Sequence, residues 1–213
     1  MSHFQKTLFI CSAHNLSQCP ADEGFEVAFA GRSNVGKSSV INCLTGNNKL
    51  ARISKTPGRT QLLNFFSVTE NTRLVDLPGY GFARVPEKIR QHWGALLQGY
   101  FETRRSLAGL ILIMDIRHPL KPFDRQLLAW CQSTGLPVHV VLNKADKISR
   151  GAGLDCRKTV EAELQQRGVS VQLFSAQNRN GVAELQMCLD IWLGFSDKKT
   201  APVCQGEGRH PGA

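Results

Sequence analysis

The sequence contains no C-x-x-C pair, no long hydrophobic run and no surplus of acidic residues, and each absence removes a class of function. Its seven cysteines, Cys11, Cys19, Cys43, Cys131, Cys156, Cys188 and Cys204, are odd in number and widely scattered. That spacing argues against both a disulfide framework and a zinc site, and it predicts a reducing compartment. The strongest apolar stretch, Leu110 to Met114 with its flanks, falls well short of the roughly 20 residues that span a bilayer. The first residues carry one lysine and a brief Leu8-Phe9-Ile10 run, which is not the pattern of a signal peptide. A Met-Gly start and a C-terminal prenylation box are also missing. The expectation is a soluble protein of the cytoplasm with no membrane partner.

What is present is an ordinary globular composition with a strong positive bias. The 213 residues are 42% apolar and 20% charged, and 26 Lys and Arg against 17 Asp and Glu give a net charge of +9. A chain of this length buries about 70% of its unfolded surface and needs no covalent staples. Residues 1–24 carry a net −1 and residues 196–213 a net +1, so the whole surplus belongs to the central region. A basic folded surface of this kind fits either a well-solvated face or a phosphate-rich partner such as RNA.

Hydrophobic patterning predicts an alternation of strands and helices. Strands are expected at Phe25 to Ala30, Gln61 to Val68, Thr72 to Asp76, Ala108 to Met114, Val138 to Leu142 and Val169 to Phe174. Helices are expected at Lys37 to Thr45, from Pro86 to about Phe101, and at Phe123 to Ser133, Leu154 to Arg167 and Val182 to Leu193. The order implies an α/β fold: a mostly parallel six-stranded sheet with one antiparallel strand from a hairpin, and helices on both faces. Residues 25–195 form the expected domain, residues 1–24 an N-terminal arm without a motif, and residues 196–213, rich in Gly, Pro and charge, a disordered tail.

Gly31-Arg32-Ser33-Asn34-Val35-Gly36-Lys37-Ser38 matches G-x-x-x-x-G-K-[ST], a pattern that chance places in such a chain only about once in a hundred. It follows an expected strand and opens an expected helix, as phosphate cradling requires. The glycines allow successive N–H groups to converge, and the helix N-terminus adds positive potential. Lys37 is suited to the β- and γ-phosphates and the Ser38 hydroxyl to Mg²⁺.

Asn143-Lys144-Ala145-Asp146 follows another strand. Guanine presents two adjacent donors, N1–H and N2–H, which one carboxylate accepts together, and Asp146 suits that task. Adenine lacks the pair, so discrimination of about 10⁴-fold is within physical reach. Asn143 is expected to tie this loop to the phosphate loop, and Lys144 to lay its stem across the base plane. Phe174-Ser175-Ala176 ends the last strand, with the Ala176 N–H placed for guanine O6. Together these point to GTP or GDP rather than ATP, at the edge where open α/β sheets bind ligands.

Asp76-Leu77-Pro78-Gly79 fits D-x-x-G, with Asp76 holding Mg²⁺ through water and the Gly79 N–H touching the γ-phosphate. Upstream, Thr60 within Gly58-Arg59-Thr60-Gln61-Leu62 is the favoured second hydroxyl on Mg²⁺, with Thr56 the competitor. Release of both segments on loss of the γ-phosphate would turn hydrolysis into a conformational signal. Position 80 is Tyr rather than the glutamine that orients water in many small GTPases, so unaided hydrolysis is expected to be slow. Asn34 is the candidate to help hold a monovalent cation such as K⁺ against the phosphates. The catalytic set is then Lys37, Thr60, Gly79 and Asn34.

G-R-S-N-V-G-K-S, T-P-G-R-T-Q, D-L-P-G-Y-G, N-K-A-D and F-S-A, in this order, resemble the EngB (YihA/YsxC) family of bacterial GTPases over about residues 22–195. Asp115-Ile116-Arg117-His118 adds to the likeness. The resemblance implies a Ras-like P-loop GTPase domain that binds GTP with Mg²⁺ and acts in assembly of the large ribosomal subunit and in septation. A monomer contacting the ribosomal subunit or its RNA is expected, with the basic stretch Lys49, Arg52, Lys55 and Arg59 as the first candidate surface and the mixed patch Arg84, Lys88, Arg90, Arg104 and Arg105 as the second. Two other readings compete: a basic RNA-binding module with a vestigial nucleotide site, and a P-loop kinase. The complete set of nucleotide residues argues against the first, and N-K-x-D, which has no task in an ATP-dependent kinase, argues against the second.

Overall fold

The computed structural model describes residues 2–51, 62–80, 87–165 and 168–195, without the side chains of residues 87–93. The elements are β1 (Leu8–Ala13), β2 (Phe25–Gly31), α1 (Lys37–Thr45), β3 (Leu63–Thr69), β4 (Thr72–Asp76), α2 (Glu87–Thr103), β5 (Leu107–Asp115), α3 (Pro122–Thr134), β6 (Val138–Asn143), α4 (Arg150–Leu164), β7 (Ser170–Leu173) and α5 (Val182–Trp192). They build one sheet in the order β1-β3-β4-β2-β5-β6-β7. β3 runs antiparallel to both of its neighbours, and all other pairings are parallel.

The single antiparallel strand is as expected, but among the described residues the sheet has seven strands rather than six. The additional one, β1, lies inside the segment expected to be a plain arm, and its residues Leu8 and Ala13 pair with Ser67 and Leu63 of β3. The same N-terminal segment supplies Asp22, whose carboxylate accepts from the backbone N–H groups of Arg105 and Ser106 at 3.0 and 2.9 Å. The expected tail, residues 196–213, lies outside the described residues.

Burial of the sheet on both faces explains the unbroken apolar sequence of β5. Leu110, Leu112 and Met114 pack with Tyr100 of α2, Leu128 of α3 and Val160 of α4. Ile111 and Ile113 pack on the other side with Ile41 of α1 and Leu189 of α5. With the period of two along the strand, consecutive residues serve different helix layers. No helix of the described residues is long and apolar enough to cross a membrane.

At the end where β2 begins, Glu26 is fully buried. Arg104 reaches its carboxylate at 2.7 Å, Arg73 at 3.2 Å and the Tyr100 hydroxyl at 3.2 Å. A buried carboxylate is tolerable only with such partners, and this cluster pins β2, β4 and α2 together away from the opposite edge. That opposite edge, where β2, β4, β5, β6 and β7 end, carries the sequence motifs.

Candidate nucleotide-binding site

The phosphate loop runs from Gly31, the last residue of β2, to Lys37, the first of α1. Asn34 and Gly36 have φ of 66° and 93°. At Gly36 the left-handed backbone coincides with a close approach, because a Cβ there would lie 2.5 Å from Asn143 Nδ2. Only glycine satisfies both. The first N–H groups of α1, including that of Ser38, have no intrahelical acceptor by construction, which makes this terminus a ready cradle for phosphate oxygens.

Lys37 Nζ is ion-paired with the carboxylate of Asp76 at the end of β4. Both side chains are largely buried. The ammonium and the carboxylate that sequence reasoning assigned to phosphate and to Mg²⁺ are therefore adjacent and neutralise each other. A hydroxyl at Ser38 and a carboxylate at Asp76 are hard oxygen donors, the chemistry that suits Mg²⁺ bound with retained waters and phosphate oxygens. Thr60, with Gly58, Arg59 and Gln61, lies outside the described residues, as do Thr56, Arg52 and Lys55, whereas Leu62 directly precedes β3.

The D-x-x-G segment is stitched to the phosphate loop. Ser33 N–H donates to Tyr80 O at 2.9 Å and Leu77 N–H to Phe29 O at 3.0 Å, and Arg32 and Tyr80 form a parallel bridge. Pro78 is buried, and a Cβ on Gly79 would sit 3.5 Å from Ser33 Cα, so Gly79 lies directly beside the phosphate loop. Tyr80 turns inward. Its hydroxyl donates to Asp124 Oδ1 at 2.7 Å and its ring stacks on Phe123 at 4.3 Å, both at the start of α3. Burial, reinforced by the Asp124 charge, raises the phenol well above its ordinary pKa. Tyr80 is thus a protonated anchor for this segment and leaves no group at position 80 to orient water.

Asn143 and Lys144 join the loop after β6 to the loop between β2 and α1. Asn143 Nδ2 donates to Val35 O at 2.8 Å, and Lys144 Nζ donates to Asn34 O at 2.6 Å. Nδ2 spends one of its two N–H groups there, and Asn143 Oδ1 is a buried acceptor without a donor among the described residues. The ammonium of Lys144 also pairs with Asp115 Oδ2 at 2.9 Å. That carboxylate, chelated by Arg117 through bonds of 2.9 and 2.6 Å, is held far below the usual carboxylate range, the Arg117 hydrogen bond being the largest cause. Asp115 and Asp124 were given no role from sequence. Asp115 is marked in the sequence only by the Asp115-Ile116-Arg117-His118 likeness at a strand end, and Asp124 only as an Asp at the third position of a helix, where it accepts from Lys121 N–H at 2.9 Å.

Asp146 sits in the turn after Lys144, and its Oδ1 accepts the Ser175 hydroxyl at 2.6 Å. That bond is the main reason its carboxyl stays below the ordinary value, against the opposing effect of burial. Ala145 N–H donates to Phe174 O at 3.0 Å, so the segments after β6 and β7 are one unit. Ala176, next to the buried Ser175, donates its N–H to no described group. The structure thus brings Gly31 to Ser38, Asp76 to Gly79, Asn143 to Asp146 and Phe174 to Ala176 to one edge of the sheet.

Comparison with known proteins shows the family and the fold. Residues 26–144 match the family described as 50S ribosome-binding GTPase. The chain is 53% identical over 194 residues to the probable GTP-binding protein EngB of Stenotrophomonas maltophilia, covering 90% of this chain and 97% of that one. It is 52% identical over 196 residues to the protein of the same description from Nitrosococcus oceani, covering 91% and 98%. Among solved structures, a probable GTP-binding protein EngB superposes with a TM-score of 0.65 at 22% identity, covering 80% of this chain and all of the other. With identity above one half along nearly its whole length, the chain belongs to the EngB family of GTP-binding proteins and is a GTP-hydrolysing enzyme with the Ras-like fold.

Proposed function

We propose that this protein is a Mg²⁺-dependent GTP switch of the bacterial cytoplasm that acts as a monomer in assembly of the large ribosomal subunit and is required for normal septation. The observation that supports the switch is the ionic contact between Lys37 and Asp76. GTP alone would take Lys37 away and leave a buried carboxylate facing phosphate, whereas nucleotide with Mg²⁺ satisfies both groups. In this reading Ser38, Thr60 and, through water, Asp76 would hold Mg²⁺, which would supply charge neutralisation for the phosphates. The loop from Gly31 to Ser38 cradles the phosphates, while Lys37 and the Gly79 N–H stabilise charge on the transferred group. Asp146 reads guanine N1–H and N2–H, Ala176 N–H reads O6, and Lys144 covers the base. Residues 58–62 and Leu77 and Pro78 complete the nucleotide surroundings.

Because Tyr80 is committed to Asp124, charge stabilisation at the γ-phosphate must come from elsewhere. Asn34 has an exposed side chain on a left-handed backbone in the phosphate loop, and we assign it to help hold K⁺ there. Turnover is expected to be about tenfold faster in K⁺ than in Na⁺, with the difference gone in Asn34→Ala. Equal rates in both salts, unchanged by the substitution, would remove this role.

The ribosomal partner is supported by the family description and by the +9 charge carried in the central region. Co-sedimentation with large subunits, with GTP or GDP and across salt concentrations, tests it. A switch requires a clear preference for one nucleotide state at fixed salt. Steep salt dependence with no nucleotide effect is instead the signature of adventitious polyanion binding, and would favour the reading as a basic RNA-binding module.

A further inference from the structure

Gln172 lies in β7 and is completely buried. A buried amide persists only where its hydrogen bonds are met. Its Nε2 donates to Gly181 O at 2.8 Å and to Leu173 O at 3.3 Å. Two carbonyl partners fix the amide orientation, since a flipped amide would set oxygen against oxygen. The Oε1 end therefore faces His139 of β6, whose Nε2 lies 2.8 Å away and must carry a hydrogen. Its Nδ1 is hydrogen-bonded to the Ser170 hydroxyl at 2.7 Å. The amide is thus held from below by β6 and fastens the chain above it.

What it fastens is the neck of the base-reading loop. Gly181 has φ of +83°, and a Cβ there would lie 2.4 Å from Leu173 O and 2.7 Å from Gln172 Nε2. No other residue permits this approach. One step inward, Ser175 and Asn180 exchange backbone hydrogen bonds of 3.1 and 3.2 Å. From inside this closed loop the Ser175 hydroxyl reaches Asp146 Oδ1. The chain of contacts runs from His139 through Gln172, Gly181 and the Ser175/Asn180 pair to the carboxylate that reads guanine.

We infer that Gln172 is a positioning residue for base specificity: it sets the seat of Ser175 and so the aim of Asp146, without touching the nucleotide. This rests on the proposed reading of Asp146 as the guanine acceptor.

The test is nucleotide binding by Gln172→Met, which keeps side-chain length and volume but cannot donate to Gly181 O. The ratio of GTP to ATP affinity is expected to fall about tenfold, with ATP affinity unchanged, because loosening costs only the base-specific part of binding. In Asp146→Ala the ratio collapses by itself, and adding Gln172→Met changes it no further, because coupled residues are non-additive. A folded Gln172→Met protein with the wild-type ratio overturns the inference, as does a further fall in the Asp146→Ala background. If Asp146→Ala keeps the wild-type ratio, the reading of Asp146 itself fails, a distinct result. Should Gln172→Met not fold, Gln172→Asn, one methylene too short to hold both His139 and Gly181, carries the same test with the same outcomes.

Discussion

Lys37→Ala is expected to reduce GTP hydrolysis by on the order of 10³-fold or more, and to weaken GTP binding, because it removes the one ammonium placed at the start of α1 where phosphates gather. A second, independent effect follows from its partner. Asp76 is 3% exposed, and its carboxylate pairs with Lys37. Removing one member of a buried pair strands the other, at a cost of about 3 kcal/mol. The single variant should therefore lose both function and thermal stability. The double variant Lys37→Ala with Asp76→Asn separates the two: it recovers the melting temperature, since no charge is left unpaired, and recovers no GTP binding. A double variant that remained as unstable as Lys37→Ala would show that Lys37 stabilises the fold by packing rather than by charge.

Asp146→Asn is expected to lower GTP affinity by about 10³-fold and to transfer preference to xanthosine triphosphate. The reason is the count of donors and acceptors. Guanine offers two donors to a carboxylate, whereas an amide presents one acceptor and one donor, and its donor meets the guanine amino group. Xanthine replaces that amino group with a carbonyl and so complements the amide. The Ser175 hydroxyl still finds an oxygen on the new side chain, so the fold should be undisturbed. The lowered pKa of Asp146 adds a pH signature. Its native-state value lies below the unfolded one, so its contribution to stability is present above pH about 4 and is lost as pH falls through the native value. GTP affinity should fall in that same acid range and be indifferent to this group near neutrality. Isothermal titration with GTP, ATP and xanthosine triphosphate reads all of these outcomes.

Local pattern made much of this legible. The helix Lys37–Thr45 and the strand Thr72–Asp76 have the bounds that periodicity and punctuation predict. The start of α4 does not: it begins at Arg150 rather than Leu154, because Ser149 caps it by accepting from Ala152 N–H at 3.3 Å. The apolar period alone reports the buried face of a helix and is silent about an exposed first turn. Strand β1 was invisible for a different reason. Leu8, Phe9 and Ile10 are all exposed, so no alternation marks them, and the strand exists because β3 offers its edge some 55 residues later.

The sequence by itself determined the candidate nucleotide loops, because the phosphate cradling and guanine reading proposed for them depend on backbone turns and on side chains a few residues apart, which spacing encodes directly. Tertiary structure alone decided how those loops are held: Lys37 against Asp76, Lys144 between Asn34 and Asp115, Tyr80 on Asp124, and Gln172 beneath Gly181. Apart from the last, these contacts join residues some 29 to 110 positions apart. Their pairing is set by which strands lie side by side and by the penalty for leaving a buried polar group alone, and neither is written in any local pattern.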